Sequence, residues 1–282
     1  YWEIWNEPDI DTSKPGFHRS KSPMWTGTEE EYFRLFEITA NHLNKCFPHL
    51  KIGGPALCSN LEWADRFLAY TSKRGIEFDF FSYHRYFSKM EKAIRTTNRV
   101  KALLDKYGYS NAEMILNEWN YISNWTGEFV HSIEVIKSYK GAAYTAAVMS
   151  NFQDSPVHMM MYYDARPCGM NGLFHTDTLE PLKGYYAIKS FSDLYDLGKA
   201  AEVTASENIY GIAATNGSES AILLTHFNDD DSTPEETVRV EIKDIPRERP
   251  LRAEFYLLDN DHDMKLVREE TFNSGEFAAY LD

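Results

Sequence analysis

Residues 1–8 read Tyr-Trp-Glu-Ile-Trp-Asn-Glu-Pro, and the proline decides how that run must end. Pro8 has no N–H to give to a β-ladder and keeps the residue before it out of the helical region. The apolar run Tyr1–Trp5 is therefore predicted as a buried strand that stops at Asn6-Glu7-Pro8, with a carboxylate at its C-terminal tip. Far downstream, Met114-Ile-Leu-Asn-Glu-Trp-Asn120 has the same form and delivers Glu118 behind Asn117. Two parallel strands that each end in Asn-Glu point two carboxyl groups at one rim. In a closed α/β sheet, that rim is where catalytic groups gather.

The pattern between and beyond these tips alternates. Thr28-x-x-Glu31 is a capping box, followed by Phe33, Phe36, Ala40 and Leu43 at helical spacing, with Pro48 at the exit. Lys51–Pro55 reads as a short strand running into a Gly-Pro turn, and Leu61–Arg74 as a helix closed by Gly75. Phe78–Tyr83 is the next buried strand, ending at His84-Arg85-Tyr86. It is followed by an amphipathic helix, Met90–Lys106, with Ile94, Val100, Ala102, Leu103 and Leu104 on its apolar side. Glu113–Asn117 is the strand that carries Glu118. Ile133–Phe152 is predicted as one helix, whose small residues Gly141–Ala147 allow close approach to a neighbour. Val157–Tyr163 is a continuous apolar strand, and Leu182–Leu197 a closing helix.

Strands that alternate with helices make a parallel sheet with right-handed crossovers. No strand leads into a glycine-rich phosphate loop, and the paired Asn-Glu ends favour a barrel over an open doubly wound sheet. The fold class is thus α/β, with residues 1–198 read as five βα units of a (β/α)8 barrel. From about Ala200 the runs Ile209–Thr215, Ser220–Phe227, Thr237–Ile242 and Leu251–Leu258 read as strands split by Asn-Gly, Asp-rich and Pro turns. Residues 199–282 are expected to form a small all-β sandwich.

Trp5-Asn6-Glu7-Pro8 followed by the strand-end Asn117-Glu118-Trp119 resembles the clan of retaining glycoside hydrolases built on (β/α)8 barrels. Within it, Tyr1–Asp9 together with Phe80-Phe-Ser-Tyr-His-Arg-Tyr86 is most similar to glycoside hydrolase family 39, the family of β-xylosidases and α-L-iduronidases. The resemblance is close over residues 1–200 and loose beyond. It implies that Glu7 ends the fourth barrel strand as acid/base and that Glu118 ends the seventh as nucleophile, with an accessory β-domain after the barrel. It also implies that the first three strands lie upstream of Tyr1, leaving the chain with two raw sheet edges open to self-association. The retaining mechanism wants one carboxyl protonated and one ionised, ~5–5.5 Å apart.

The resemblance also nominates partners for a glycoside or oligosaccharide substrate. Asn6 donates to the sugar 2-hydroxyl, or simply turns the chain. His84 bonds Glu118 or a substrate hydroxyl. Tyr86 and Trp119 are walls of the cleft or members of the core. Tyr163 at the end of the last apolar strand, Arg166 just beyond it, and Arg85 complete the set. The loop Asp9–Thr26, with Pro15, Gly16 and Pro23, is long enough to shape the site, and its Trp25 either stacks on a sugar or pins the loop. A guanidinium grips a uronate carboxylate through a bidentate fork, so Arg85 or Arg166 facing the pocket would suit a uronic acid. Pairing with Asp79 or Asp164 would leave a neutral pentose. His84-Arg85 resembles the iduronidase branch, which continues with Lys where this chain has Tyr86, and that departure favours the neutral sugar. The expected activity is β-xylosidase-like. The alternatives are an iduronidase-like enzyme, another glycosidase of the clan, or a carbohydrate-binding fragment with impaired catalysis.

The 282 residues are 43% hydrophobic and 15% aromatic, enough for a sizeable core, and aromatics serve sugar stacking as well as packing. A net charge of −14 argues against nucleic acid and anionic membrane surfaces. No apolar run has the ~18 residues that a membrane-spanning helix needs. Cys46, Cys58 and Cys168 show no metal spacing and are expected as free thiols. Asp259-x-Asp261-x-Asp263 with Glu270 mimics a calcium loop, but Met264 stands where that loop needs glycine, so a hairpin turn is expected. No metal or cofactor is implied, and the compartment is left open.

Overall fold

The computed structural model describes residues 1–10, 24–234, 236–243, 250–272 and 277–281, so Pro15, Gly16 and Pro23 of the long loop lie outside the described residues. Two compact units are formed, residues 1–136 with 148–171, and residues 137–147 with 172–282. The cut at 171/172 falls inside the segment that the sequence alternation assigns to the last barrel unit. No helix among the described residues is long and apolar enough to cross a membrane.

The first unit is a wall of five parallel strands, β1 (Trp2–Glu3), β2 (Ile52–Leu57), β3 (Phe80–Phe87), β4 (Glu113–Tyr121) and β5 (Val157–Tyr162), hydrogen-bonded in chain order. An order that never reverses is that of a barrel wall, because a doubly wound sheet has a switch point. Helices α1 (Glu29–Cys46), α2 (Leu61–Arg74) and α3 (Met90–Lys106) make the first three crossovers. The capping box closes α1 as expected: Thr28 Oγ1 accepts from Glu31 N at 3.1 Å, and the Glu31 carboxylate accepts from Thr28 N at 2.6 Å. At the end of α2, Gly75 takes the left-handed φ of 63°. Much of the aromatic content is spent between these helices, where Phe33 meets Trp63 at 5.2 Å and Phe36 meets Phe67 at 4.9 Å.

Several expected boundaries move. The run Tyr1–Trp5 is not a buried strand: Tyr1, Trp2 and Trp5 are exposed and only Ile4 is covered. β1 lies at the edge of the sheet, bonded to β2 alone among the described strands, so burial cannot follow from its apolar content. β2 does not turn at Gly54-Pro55 but runs on to Leu57. A register irregularity between Gly54 and Leu57 accommodates the proline, which has no N–H to place in the ladder. β3 and β4 run past His84 and Glu118, so these residues sit within strands and not beyond them. Ala102, expected on the apolar side of α3, is exposed. The single helix expected over 133–152 is two, α4 (Phe129–Lys137) and α5 (Tyr139–Asn151). At the break, Ser138 caps the second helix, accepting from Ala142 N on its carbonyl at 3.1 Å and from Gly141 N on its hydroxyl at 3.4 Å.

The second unit contains α6 (Lys183–Leu197) and three small antiparallel sheets. These are β6 (Lys199–Ala201) with β7 (Ile209–Thr215) and β8 (Ser220–His226), β9 (Val238–Ile242) with β12 (Phe277–Leu281), and β10 (Leu251–Leu258) with β11 (Asp263–Phe272). β6, β11 and β12 escape the sequence reading. β11 in particular carries so many charges that it lacks an apolar run. The small residues foreseen around 141–147 do allow close approach: Ala142 and Ala146 pack with Ala187 of α6, and Leu223 and Leu258 lie against them. The acidic run after β10 is a hairpin turn. Asp259 Oδ1 accepts from Asp261 N at 2.8 Å and His262 N at 2.7 Å, and Asp259 N donates to His262 O at 3.2 Å.

Candidate active site

The site begins where β1 stops. Parallel pairing with the neighbouring strand continues past β1 through Ile4 N to Gly53 O at 2.9 Å and Glu7 N to Ala56 O at 3.0 Å. Between these bonds the backbone passes through positive φ at Trp5, 75°, and Glu7, 49°, conformations that non-glycine residues adopt only when their surroundings hold them. Asp9, 3% exposed, supplies much of that hold. Its carboxylate accepts from the N–H groups of Cys58, Ser59 and Asn60 at 2.8, 3.0 and 2.9 Å, at the entry to α2. Burial pushes the Asp9 carboxyl up against the lowering effect of these bonds. From the other side, Trp5 Nε1 donates to Met24 O at 2.9 Å, and Trp25 packs edge-on against Trp5 at 5.2 Å while its own Nε1 donates to Thr28 O at 2.8 Å. Trp25 is thus held between Trp5 and the entry to α1.

Glu7 is buried, and across the wall His84 meets it. His84 is 2% exposed, and its Nδ1 lies 2.7 Å from Glu7 Oε1 and 3.4 Å from Glu118 Oε2. The register of β3 with β4 sets His84 opposite Glu118, which brings the histidine within reach of both strand tips. Glu7, His84 and Glu118 each offer one atom within 4.8 Å of the others. The Nε2 of His84 is buried and has no hydrogen-bond partner among the described residues, so Nδ1 is the nitrogen that addresses the carboxylates. Tyr86 Oη donates to Glu118 Oε2 at 2.6 Å. Burial, and then the Glu118 carboxylate, push the Tyr86 phenol well up, which keeps it a donor.

The other nominated residues divide. Arg166 is committed to Asp164, with Nε and Nη2 reaching Oδ2 at 2.9 and 2.7 Å, and its Nη2 also meets Tyr163 Oη at 3.0 Å. Tyr163 stands edge-on to Tyr86 at 6.3 Å and so adjoins the cluster. Arg85 and Trp119 are register partners one position on from His84 and Glu118, and side-chain alternation sets them on the opposite face of the sheet. Trp119 is buried there against Tyr162, centroids 5.3 Å apart, as a core residue and not a cleft wall. Asn6 is exposed beside Glu7. Asn117 does not join Glu118: its Nδ2 reaches both oxygens of Glu3, at 2.8 and 3.0 Å.

Sequence reasoning missed Asp9 and Cys58. Asp9 follows Glu7-Pro8 directly, but the helix start it serves is remote in sequence. Cys58 is one of three free thiols, and burial, with Glu7 next, pushes it up to about 12, so it stays a protonated neighbour of the site.

A pair of carboxylates bridged by one histidine, at the C-terminal rim of parallel strands, defines a site of the paired-carboxylate barrel class. The family model described as glycosyl hydrolases family 39 matches residues 1–165, and the chain belongs to this family. It is similar to a β-xylosidase of Geobacillus stearothermophilus, 37% identical over 90 residues that make up 31% of this chain and 16% of that protein. A β-xylosidase of Caldicellulosiruptor saccharolyticus is 30% identical over 135 residues, 43% of this chain and 25% of that protein. Among solved structures, a glucosidase from Croceicoccus marinus has the same fold, with a TM-score of 0.78 at 18% identity over 100% of this chain and 66% of that one. The chain thus covers less than two thirds of the length of each of these relatives.

Proposed function

We propose that the protein to which this chain belongs is a retaining glycoside hydrolase, β-xylosidase-like, that acts by double displacement on terminal glycosidic bonds. Glu118 attacks the anomeric carbon and forms a glycosyl-enzyme. Glu7 protonates the departing oxygen and then takes a proton from the water that releases the sugar. The observation that carries this reading is the approach of Glu7 and Glu118 to within 4.8 Å, oxygen to oxygen. Retaining enzymes hold their carboxyl groups ~5–5.5 Å apart, and inverting enzymes leave ~6.5–9.5 Å for a water. The Tyr86 hydroxyl donates to Glu118 and orients the nucleophile, while His84 Nδ1 bonds Glu7 and lies 3.4 Å from Glu118. Arg166 is occupied by Asp164, which supports a neutral pentose over a uronic acid.

The test uses the full-length protein and an aryl β-xyloside, with the product anomer followed by NMR from the first turnovers. A β-anomer released first supports retention, and an α-anomer refutes it. Glu118→Ala should lose activity and regain it with azide as an α-xylosyl azide. A variant that keeps the wild-type rate removes Glu118 from the nucleophile role.

A further inference from the structure

Beyond the carboxylate pair the rim continues as a line of aromatic rings. The chain leaving β4 turns at Asn124, whose Oδ1 accepts from Thr126 N and Oγ1, both at 2.9 Å, and this turn carries Trp125 outward. Trp125 is 54% exposed, although tryptophan gains more than almost any residue from burial. Its orientation is not left to solvent. Phe129, at the start of α4, stacks along it at 5.7 Å with an interplanar angle of 18°. Tyr86 meets it edge-on at 5.1 Å and 77°. The same Tyr86 holds Glu118 through its hydroxyl at 2.6 Å, so a single side chain separates Trp125 from the carboxylate. An indole whose plane is fixed by two aromatic neighbours, and which still shows half its surface, offers a prepared apolar face at small entropic cost. The C–H face of a pyranose ring matches such a surface, and aromatic linings are how small-ligand sites supply contact area.

We propose that Trp125 is the platform for the sugar ring next to the one being cleaved, which makes β-linked oligosaccharides the preferred substrates over glycosides with small leaving groups. This inference rests on the glycosidase reading of Glu7 and Glu118. The competing role is that of a brace, in which Trp125 only steadies Tyr86 and acts on every substrate alike.

The experiment compares xylobiose with methyl β-xyloside in the full-length enzyme, as wild type, Trp125→Ala and Trp125→Phe. Loss of one stacked ring should lower kcat/KM for xylobiose about tenfold more than for methyl β-xyloside in Trp125→Ala, chiefly through KM. Trp125→Phe should recover most of the difference. Equal losses on both substrates, carried in kcat, would mark Trp125 as a brace and overturn the proposal, as would no loss on either. Because the side chain is on the surface, circular dichroism of Trp125→Ala should match wild type. A wild-type enzyme that turns over neither substrate defeats the β-xylosidase-like reading itself and this inference with it.

Discussion

Carboxylates in the two units live under different rules. In the parallel unit Glu7, Asp9 and Asp164 are buried, and each is met by hydrogen-bonding groups: His84 for Glu7, three backbone N–H groups for Asp9, and Arg166 for Asp164. In the antiparallel unit Glu254 and Glu269 are exposed on β10 and β11, where Arg252 bridges them, and Arg268 meets a half-buried Glu270 on the other face of β11. The difference comes from topology. Parallel strands end together at one rim, so side chains remote in sequence converge where water is scarce. Antiparallel hairpins alternate their residues between core and solvent, and charge stays on the wet side. A buried charge deprived of its partner is expensive, whereas an exposed pair contributes little.

The comparison is sharpest at Glu7. Glu7→Gln should lower kcat/KM for an alkyl xyloside by ~10²–10⁴-fold, and much less for an aryl xyloside whose leaving group needs no proton. Similar losses on both would deny Glu7 the acid's part. Next comes Asp9→Ala, which strands three N–H donors under cover. Chemical denaturation should show a loss of about 3 kcal/mol, and activity should fall because Glu7 loses the anchor of its strained turn. Stability close to wild type would mean that the rim is not held by this carboxylate. In the antiparallel unit the costly change is apolar. Ala187→Leu forces a larger side chain against Ala142 and Ala146 and should cost about 2 kcal/mol by the same measurement. At the bottom of the scale, Arg252→Ala removes an exposed pair, and no shift of the melting temperature is expected. A drop rivalling that of Asp9→Ala would erase the contrast between the units.

What the chain reveals on reading is of two kinds. Local rules were legible. The Thr28–Glu31 capping box, the left-handed Gly75 and the small-residue stretch around Ala142 and Ala146 each follow from interactions a few residues long, and the structure has them in place. The five parallel strands were legible because their apolar runs are short and regularly interrupted. The cover of Tyr1 and Trp2 was not, because it depends on what flanks β1, which among the described strands is β2 alone. Nor was the break at Ser138, where a hydroxyl competes with the backbone for one hydrogen bond in an otherwise continuous helical pattern.

By itself the sequence determined which residues are chemically equipped: two glutamates behind asparagines, and a histidine and a tyrosine two positions apart. Tertiary structure alone decided their use. Pairing of β3 with β4 set His84 opposite Glu118 and turned Arg85 and Trp119 to the other face. Capture of the Asp9 carboxylate at the entry to α2 aimed Glu7 at the same histidine. The reason is geometric. A strand's sequence specifies alternation, whereas the register against its neighbour, set by contacts across the sheet, specifies which alternating set shares one mouth.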